Sequence, residues 1–137
     1  VYLAQEVSTD KQIQAIVDML WYWQVPLLGI EANNFASLLV RNMQEAIAQR
    51  AKEEGVRWDV RLVPLSNVRN KILRIKTLEP LIQNHWLQFA RTLPPEALRQ
   101  MREFLPIENA GADDFPDSLE MACRVVQGLY DTRSFVA

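Results

Sequence analysis

The chain has 137 residues, a net charge of −2, 49% hydrophobic and 23% charged residues, and these values predict one globular domain over residues 1–137. No apolar run approaches the roughly 20 residues of a membrane span, so no membrane partner is expected. The single Cys123 excludes an internal disulfide and indicates a reducing, cytoplasmic setting. One His and one Cys cannot form a usual zinc site, so any metal must be held by carboxylates, which favours magnesium, manganese or calcium.

The first half of the chain alternates predicted strands and helices. Val1–Val7 is typical of a strand, and Thr9 or Asp10 can cap a helix from Lys11. The apolar run Leu27–Ile30 predicts a strand buried on both faces that ends at Glu31. A helix capped by Asn33 or Asn34 then runs to about Glu54, followed by a strand over Val56–Leu65.

The second half is predicted to be mostly helical. The pattern predicts a helix over Asn67–Leu78, with Ile72 and Ile75 facing inward and Lys71 and Arg74 on another face. His85–Ala90 is expected to be a short strand, and Pro94-Pro95-Glu96 opens a further helix. Leu105–Ala112 is expected to be a loop before a last helix that begins near Asp114 and buries Cys123. This order of elements predicts an α/β fold with a mainly parallel sheet.

Charge is distributed unevenly along the chain. The segment from residue 57 to 76 contains one acidic residue, Asp59, and six basic residues. These six, called the basic run, are Arg57, Arg61, Arg69, Lys71, Arg74 and Lys76. The segment from residue 103 to 120 has no basic residue and carries Glu103, Glu108, Asp113, Asp114, Asp117 and Glu120. This arrangement suits a polyanion held beside bound cations, and it equally suits two solvated faces of opposite charge.

Two groups of carboxylates are candidates for chemistry. Glu31 ends a predicted buried strand, at the sheet edge where open α/β sheets bind their ligands, although a strand-end acid can also simply pair with an arginine. Asp113, Asp114 and Asp117 lie at a predicted helix start. Helix capping explains one or two of these acids, whereas a divalent cation would relieve the repulsion among all three. The sequence contains no glycine-rich phosphate loop and no GxSxG, HExxH or CxxC motif.

Three segments, in order and spacing, resemble the C-terminal nuclease domain of phage and prophage terminase large subunits. They are Ile30-Glu31-Ala32-Asn33-Asn34-Phe35, Asn70-Lys71-Ile72-Leu73-Arg74-Ile75 and Ala112-Asp113-Asp114-Phe115-Pro116-Asp117-Ser118-Leu119. The resemblance covers nearly the whole chain. It implies a ribonuclease H-like fold, with a central mixed, mainly parallel sheet flanked by helices on both faces.

The resemblance also implies a function. Members of this family cut concatemeric DNA during genome packaging with two Mg²⁺ or Mn²⁺ ions. Glu31 and Asp114 would be metal ligands, with Asp113 as an auxiliary catalytic acid and Asp117 as an auxiliary acid that also contacts metal. The carboxylates of Glu31 and Asp114 would converge at one sheet edge. Asn33, Arg69, Lys71 and Arg74 are the candidates for contacts with double-stranded DNA.

The expected partners and location follow from the same resemblance. The ATPase domain would lie in the same chain, with the portal and the small terminase subunit as further partners, in the cytoplasm of a bacterial host. The family's first two strands, with one catalytic Asp, would lie upstream of Val1. The missing strand would leave a sheet edge open, so self-association and weak cleavage are expected of the 137-residue chain.

This chain also departs from the family pattern at Ala112, where many members have His. Two alternatives remain open. One is a catalytically incomplete module of the same fold that docks DNA or the portal. The other is a different ribonuclease H-like nuclease, such as a junction resolvase.

Overall fold

The computed structural model describes residues 8–33, 36–67, 69–104 and 113–130. Within these ranges the chain forms six helices and a two-stranded parallel sheet. The elements are α1 (Thr9–Tyr22), β1 (Leu27–Glu31), α2 (Ala36–Glu54), β2 (Arg61–Leu65), α3 (Lys71–Lys76), α4 (Leu78–Gln83), α5 (Pro95–Glu103) and α6 (Asp114–Val126). The prediction of a mixed α/β chain with a parallel sheet is therefore confirmed at this level.

The described residues divide into two compact units. The N-terminal unit contains residues 8–66 together with Tyr130, and the C-terminal unit contains residues 67–129. The N-terminal unit holds α1, β1, α2 and β2, and the C-terminal unit holds the remaining four helices. The single domain over residues 1–137 stays a prediction.

The N-terminal unit is a β-α-β arrangement with an additional helix. In the sheet, Leu27 pairs with Arg61, Gly29 with Val63, and Glu31 with Leu65. Both helices bury their apolar stripes in one core with the sheet. The buried members of this core are Ile13, Val17, Leu20, Ile30, Val40, Met43, Ile47, Val60 and Leu62. Because these positions recur at helical spacing in α1 and α2, burial of the two stripes stabilises the unit.

Strand β1 is present where the sequence predicts it but is less buried than expected. Ile30 is buried, Leu27 to Gly29 are half-buried, and Glu31 is exposed. Strand β2 is shorter than the predicted Val56–Leu65 and begins at Arg61.

In the C-terminal unit, α6 packs against α3 and α5, and α3 packs against α4. The predicted helix over Asn67–Leu78 is instead two short helices, because the chain turns at Thr77, whose hydroxyl donates to the carbonyl of Arg74. Helix α3 begins one residue after Asn70, whose side-chain oxygen accepts from the Ile72 N–H at 2.9 Å. Ile75 is buried as predicted, while Ile72 is only half-buried.

The strand predicted over His85–Ala90 is wrong. Helix α4 ends at Gln83, and His85 adopts a left-handed backbone conformation with φ 59°. The N–H groups of His85, Trp86 and Leu87 turn back to carbonyls of Ile82 and Leu81, which closes the helix instead of starting a strand. Trp86 is 79% exposed, so no core contact favours an extended conformation there.

Several sequence predictions lie outside the described residues. These are the strand over Val1–Val7, the cap at Asn34, and the loop over Leu105–Ala112. The ribonuclease H-like arrangement, with a larger mixed sheet and helices on both faces, goes beyond this two-stranded sheet and is taken up as a proposal below.

Candidate functional site

Helices α3 and α6 bring six charged side chains together in the C-terminal unit. This charged cluster comprises Lys71, Arg74, Asp113, Asp117, Glu120 and Arg124. Three cations face three carboxylates, so the cluster has no net charge when all six groups are ionised. It joins parts of the basic and acidic segments of the sequence.

Lys71 lies between two carboxylates at the half-exposed end of the cluster. Its Nζ is 2.9 Å from Asp113 Oδ1 and 3.5 Å from Asp117 Oδ2. The side chains of Lys71, Asp113 and Asp117 are 43%, 30% and 21% exposed. Two carboxylates thus converge on one ammonium group that water can reach.

Arg74 forms the buried end of the cluster. Its Nη1 lies 2.7 Å from Glu120 Oε2, and the two side chains are only 8% and 4% exposed. The same Nη1 is 2.9 Å from Asp117 Oδ1, but the angle does not make a hydrogen bond, and Asp117 Oδ1 is left without one. We regard the Asp117 contact as mainly Coulombic and the Glu120 contact as the hydrogen-bonded pair that joins α3 to α6.

Arg124 completes the network from one turn further along α6. It forms an ion pair with Glu120 at 2.7 Å and donates to the side-chain oxygen of Asn67 at 2.6 Å. Glu120 therefore faces two guanidinium groups, which compensate its burial. These contacts also attach the segment before α3 to α6.

The beginning of α6 is capped in an unexpected way. Asp113 is the N-cap residue, but its side chain makes no capping hydrogen bond and pairs with Lys71 instead. The buried side chain of Gln100, on α5, accepts from the Phe115 N–H at 2.8 Å. Capping by Asp113 is thus unnecessary at this helix end, and its carboxylate is available to hold a cation.

Two groups near the cluster have shifted pKa values. The hydrogen bond from Lys71 to Asp113, with added attraction to Asp117, raises the pKa of the Lys71 ammonium. Lys71 is therefore a cation throughout the neutral range. Burial, followed by the negative charge of Glu120, raises the pKa of the Cys123 thiol, which stays protonated near neutral pH.

The remaining predicted site residues are exposed. Asp114 occupies the first position of α6 and pairs with no residue in the described parts of the chain. Arg69 is exposed just before α3. Glu31 and Asn33 are exposed at the end of β1, in the N-terminal unit, whereas the α6 acids belong to the C-terminal unit. The convergence of Glu31 and Asp114 on a shared ion stays a prediction.

The expectation that Lys71 and Arg74 share an outward face is wrong for Arg74. Its side chain is 92% buried, because Asp117 and Glu120 of α6 supply the charges that make burial of a guanidinium tolerable. Helix α3 therefore buries two consecutive side chains, those of Arg74 and Ile75. Lys71 is exposed enough to reach another partner.

The carboxylates of the cluster fit a hard divalent cation, provided that the cation displaces the Lys71 ammonium. Carboxylate oxygens are what Mg²⁺ and Mn²⁺ prefer, and Asp113 and Asp117 offer them at one point. The ion must displace the Lys71 ammonium from that point. No group of three or more His, Cys, Asp and Glu side chains in metal-binding geometry occurs among the residues that the structure describes.

Comparisons with known protein families, curated proteins and solved structures find no match to this chain. Among the described residues, no helix combines the length and apolar character needed to cross a membrane. The candidate site therefore depends on the geometry of the cluster and on the sequence resemblance.

Sequence reasoning missed three residues that organise the site: Gln100, Glu120 and Arg124. A local signal existed for two of them, since Glu120 and Arg124 are four residues apart on one helix, as ion pairs often are. No local signal indicates that Gln100 caps a helix that begins fourteen residues later.

Proposed function

We propose that this chain is the nuclease-like domain of a terminase large subunit, with a ribonuclease H-like fold, and that it contributes to metal-dependent cutting of double-stranded DNA. The observation that carries the proposal is the convergence of Asp113 and Asp117 on the partly exposed Lys71 ammonium, beside the exposed Asp114. This is the acid-rich helix start to which the sequence resemblance assigns metal ligands.

In this proposal, Glu31, Asp114 and Asp117 hold the divalent ions, and Asp113 assists. Bound ions of this kind polarise a phosphodiester and activate water for attack. Asp113 and Asp117 hold the Lys71 ammonium, and the same carboxylates would hold a divalent ion in its place. Lys71 would then be able to contact a DNA phosphate, while the Arg74–Glu120 pair joins α3 to α6.

The test is nicking of supercoiled plasmid with Mg²⁺ or Mn²⁺, with and without a chelator. We expect little cutting by the 137-residue chain and clear, chelator-sensitive cutting by a longer chain that includes the upstream encoded segment. In the longer chain, Glu31→Ala and Asp114→Ala should abolish cutting, because each removes a metal ligand. Asp10→Asn, at an exposed acid in the first turn of α1, is the matched control and should cut normally.

Two results would contradict the proposal. One is a longer chain that does not cut under any of these conditions. The other is cutting that survives both alanine substitutions, which would place the activity elsewhere. Robust cutting by the 137-residue chain that is lost in Asp114→Ala would instead show that no upstream strand is needed.

One observation favours a second candidate, a catalytically incomplete docking module of the same fold. The charged cluster is neutral and internally paired, which is what a purely structural network requires. Under this alternative the longer chain binds DNA or the portal without cutting. The plasmid assay separates the two candidates.

A further inference from the structure

The two edges of the small sheet differ in their backbone groups. The Arg61 N–H donates to the Pro26 carbonyl, and the Ala32 N–H donates to the Leu65 carbonyl, each at 2.9 Å. Because a strand residue directs its N–H and C=O to the same side, the backbone groups of Leu28 and Ile30 point to β2. Those of Leu27, Gly29 and Glu31 point to the outer edge of β1.

The outer edge of β1 has a complete set of donors and acceptors. Within residues 8–33, 36–67, 69–104 and 113–130, the sole backbone partner of this edge is the Asn33 N–H, which donates to the Glu31 carbonyl at 3.1 Å. The N–H and C=O of Leu27 and Gly29 and the N–H of Glu31 find no partner in the same ranges. A half-buried strand edge of this kind is a template for pairing with another strand.

The outer edge of β2 is blocked by proline. By the same alternation, Leu62 and Pro64 direct their backbone groups away from β1. Pro64 has no N–H, so this edge lacks a donor in the middle of its row. Strand addition is therefore favoured at β1 and disfavoured at β2.

We propose that the outer edge of β1 pairs with the same edge of a second copy of this chain, antiparallel and centred on Gly29. In this register Gly29 lies opposite Gly29 of the second copy, and Leu27 lies opposite Glu31. In each of these opposed pairs the backbone N–H and C=O groups point outward and can exchange two hydrogen bonds, with the Glu31 carbonyl also accepting from the Asn33 N–H. The product is a four-stranded sheet, a size at which sheets are commonly stable.

Three features favour a second copy as the occupant. The edge is self-complementary about Gly29, as a two-fold interface requires. The register places each Glu31 opposite a leucine and far from the other Glu31, so no like charges face each other. Pro64 stops further strand addition at both ends, so association yields a closed dimer and not an open fibre. This inference goes beyond the proposed nuclease function and does not rest on it.

Disulfide cross-linking tests the register. In a Cys123→Ala background, Gly29→Cys should form a covalent dimer on mild oxidation, because opposed hydrogen-bonded residues have Cα atoms about 5.5 Å apart, within disulfide range. Leu27→Cys is the matched control on the same strand face, and it should form no covalent dimer, since its two copies lie about 13 Å apart along the strand. Combining Leu27→Cys with Glu31→Cys should restore the covalent dimer.

Hydrogen exchange of the unmodified chain provides a second measurement that needs no substitution. The amides of Gly29 and Glu31 should exchange more slowly as protein concentration rises, in parallel with dimer formation in sedimentation experiments. The Leu28 and Ile30 amides, which point to β2, should not depend on concentration. A monomer at all concentrations, cross-linking of Leu27→Cys as efficient as that of Gly29→Cys, or a Gly29 amide protected equally at every concentration would overturn the proposal.

Discussion

Arg74 and Glu120 are charged residues whose role in the protein changes because they are buried. In the sequence, Arg74 belongs to the basic run and is a candidate for DNA contact. In the fold its guanidinium is paired at 2.7 Å with a carboxylate that is only 4% exposed. Removing one partner of such a pair leaves an uncompensated buried charge, which costs far more than loss of a surface ion pair.

We therefore predict that Arg74→Ala strongly destabilises the C-terminal unit. The free energy of unfolding should fall by about 3 kcal/mol, at the lower end of what breaking a buried pair costs, because Arg124 still faces Glu120. The measurement is urea unfolding followed by the reactivity of the Cys123 thiol, which lies in α6 and is half-buried in the fold.

The control is Arg99→Ala on α5. Arg99 pairs with Glu96 and Glu103 on the exposed face of its own helix, and ion pairs of this type contribute little to stability. Its unfolding midpoint should stay close to that of the unmodified chain. If Arg74→Ala were as mild as Arg99→Ala, the cluster would not hold α3 against α6.

At the scale of elements, the burial of apolar side chains varies strongly along α2. Met43 is 1% exposed in the core of the N-terminal unit, whereas Leu38, five residues earlier, is 54% exposed. The two residues have similar size and hydrophobicity, so they differ mainly in what surrounds them.

We predict that Met43→Ala lowers the free energy of unfolding of the N-terminal unit by about 2–4 kcal/mol, because it leaves a cavity in a packed core. Leu38→Ala should change it by no more than about 0.5 kcal/mol, as is usual for surface positions. Trp21 and Trp58, which stack edge to face at 5.1 Å in the same unit, supply a fluorescence signal for urea unfolding. Equal effects of the two substitutions would contradict the described orientation of α2.

At the scale of the whole molecule, the basic and acidic segments partly neutralise each other. Lys71 and Arg74 pair with Asp113, Asp117 and Glu120, so at least two of the six basic-run residues are engaged by acids in the fold. Arg69 and Lys76 of the same run are exposed. The positive charge that can meet DNA is therefore smaller than the sequence suggests.

We predict a modest, salt-sensitive affinity for duplex DNA to which Arg69, Lys71 and Lys76 contribute and Arg74 does not. Alanine at any of the first three should reduce the slope of log affinity against log salt by about 0.9 per lost phosphate contact. Arg74→Met should leave the slope unchanged in samples confirmed to be folded. Fluorescence anisotropy of a labelled duplex over a salt series provides the measurement.

Lys11→Ala, at an exposed position of α1 outside the basic run, is the matched control and should not alter the slope. A slope that changes equally in all variants would indicate that the protein's net charge, and not this surface, determines binding. Unchanged affinity in every variant at low salt would mean that the basic run does not contact DNA.

The sequence alone was sufficient for features set by neighbouring residues. Helices α1, α2, α5 and α6 and strand β1 lie close to their predicted positions, since apolar spacing, prolines and the acidic helix start act within a few residues. The acidic group at the start of α6 was recognised for the same reason. The parallel pairing of β1 with β2 followed from the strand-helix-strand order.

Tertiary structure alone decided how the charged residues are used. Lys71 meets Asp113 across 42 positions of sequence, and Arg74 meets Glu120 across 46. Pairings of this kind depend on helix packing and leave no local pattern, so an arginine expected to face solvent became buried. The left-handed turn at His85 likewise ended α4 where the apolar Trp86 and Leu87 had suggested a strand. Backbone hydrogen bonds to the preceding helix outweighed a weak strand preference with no core to bury against.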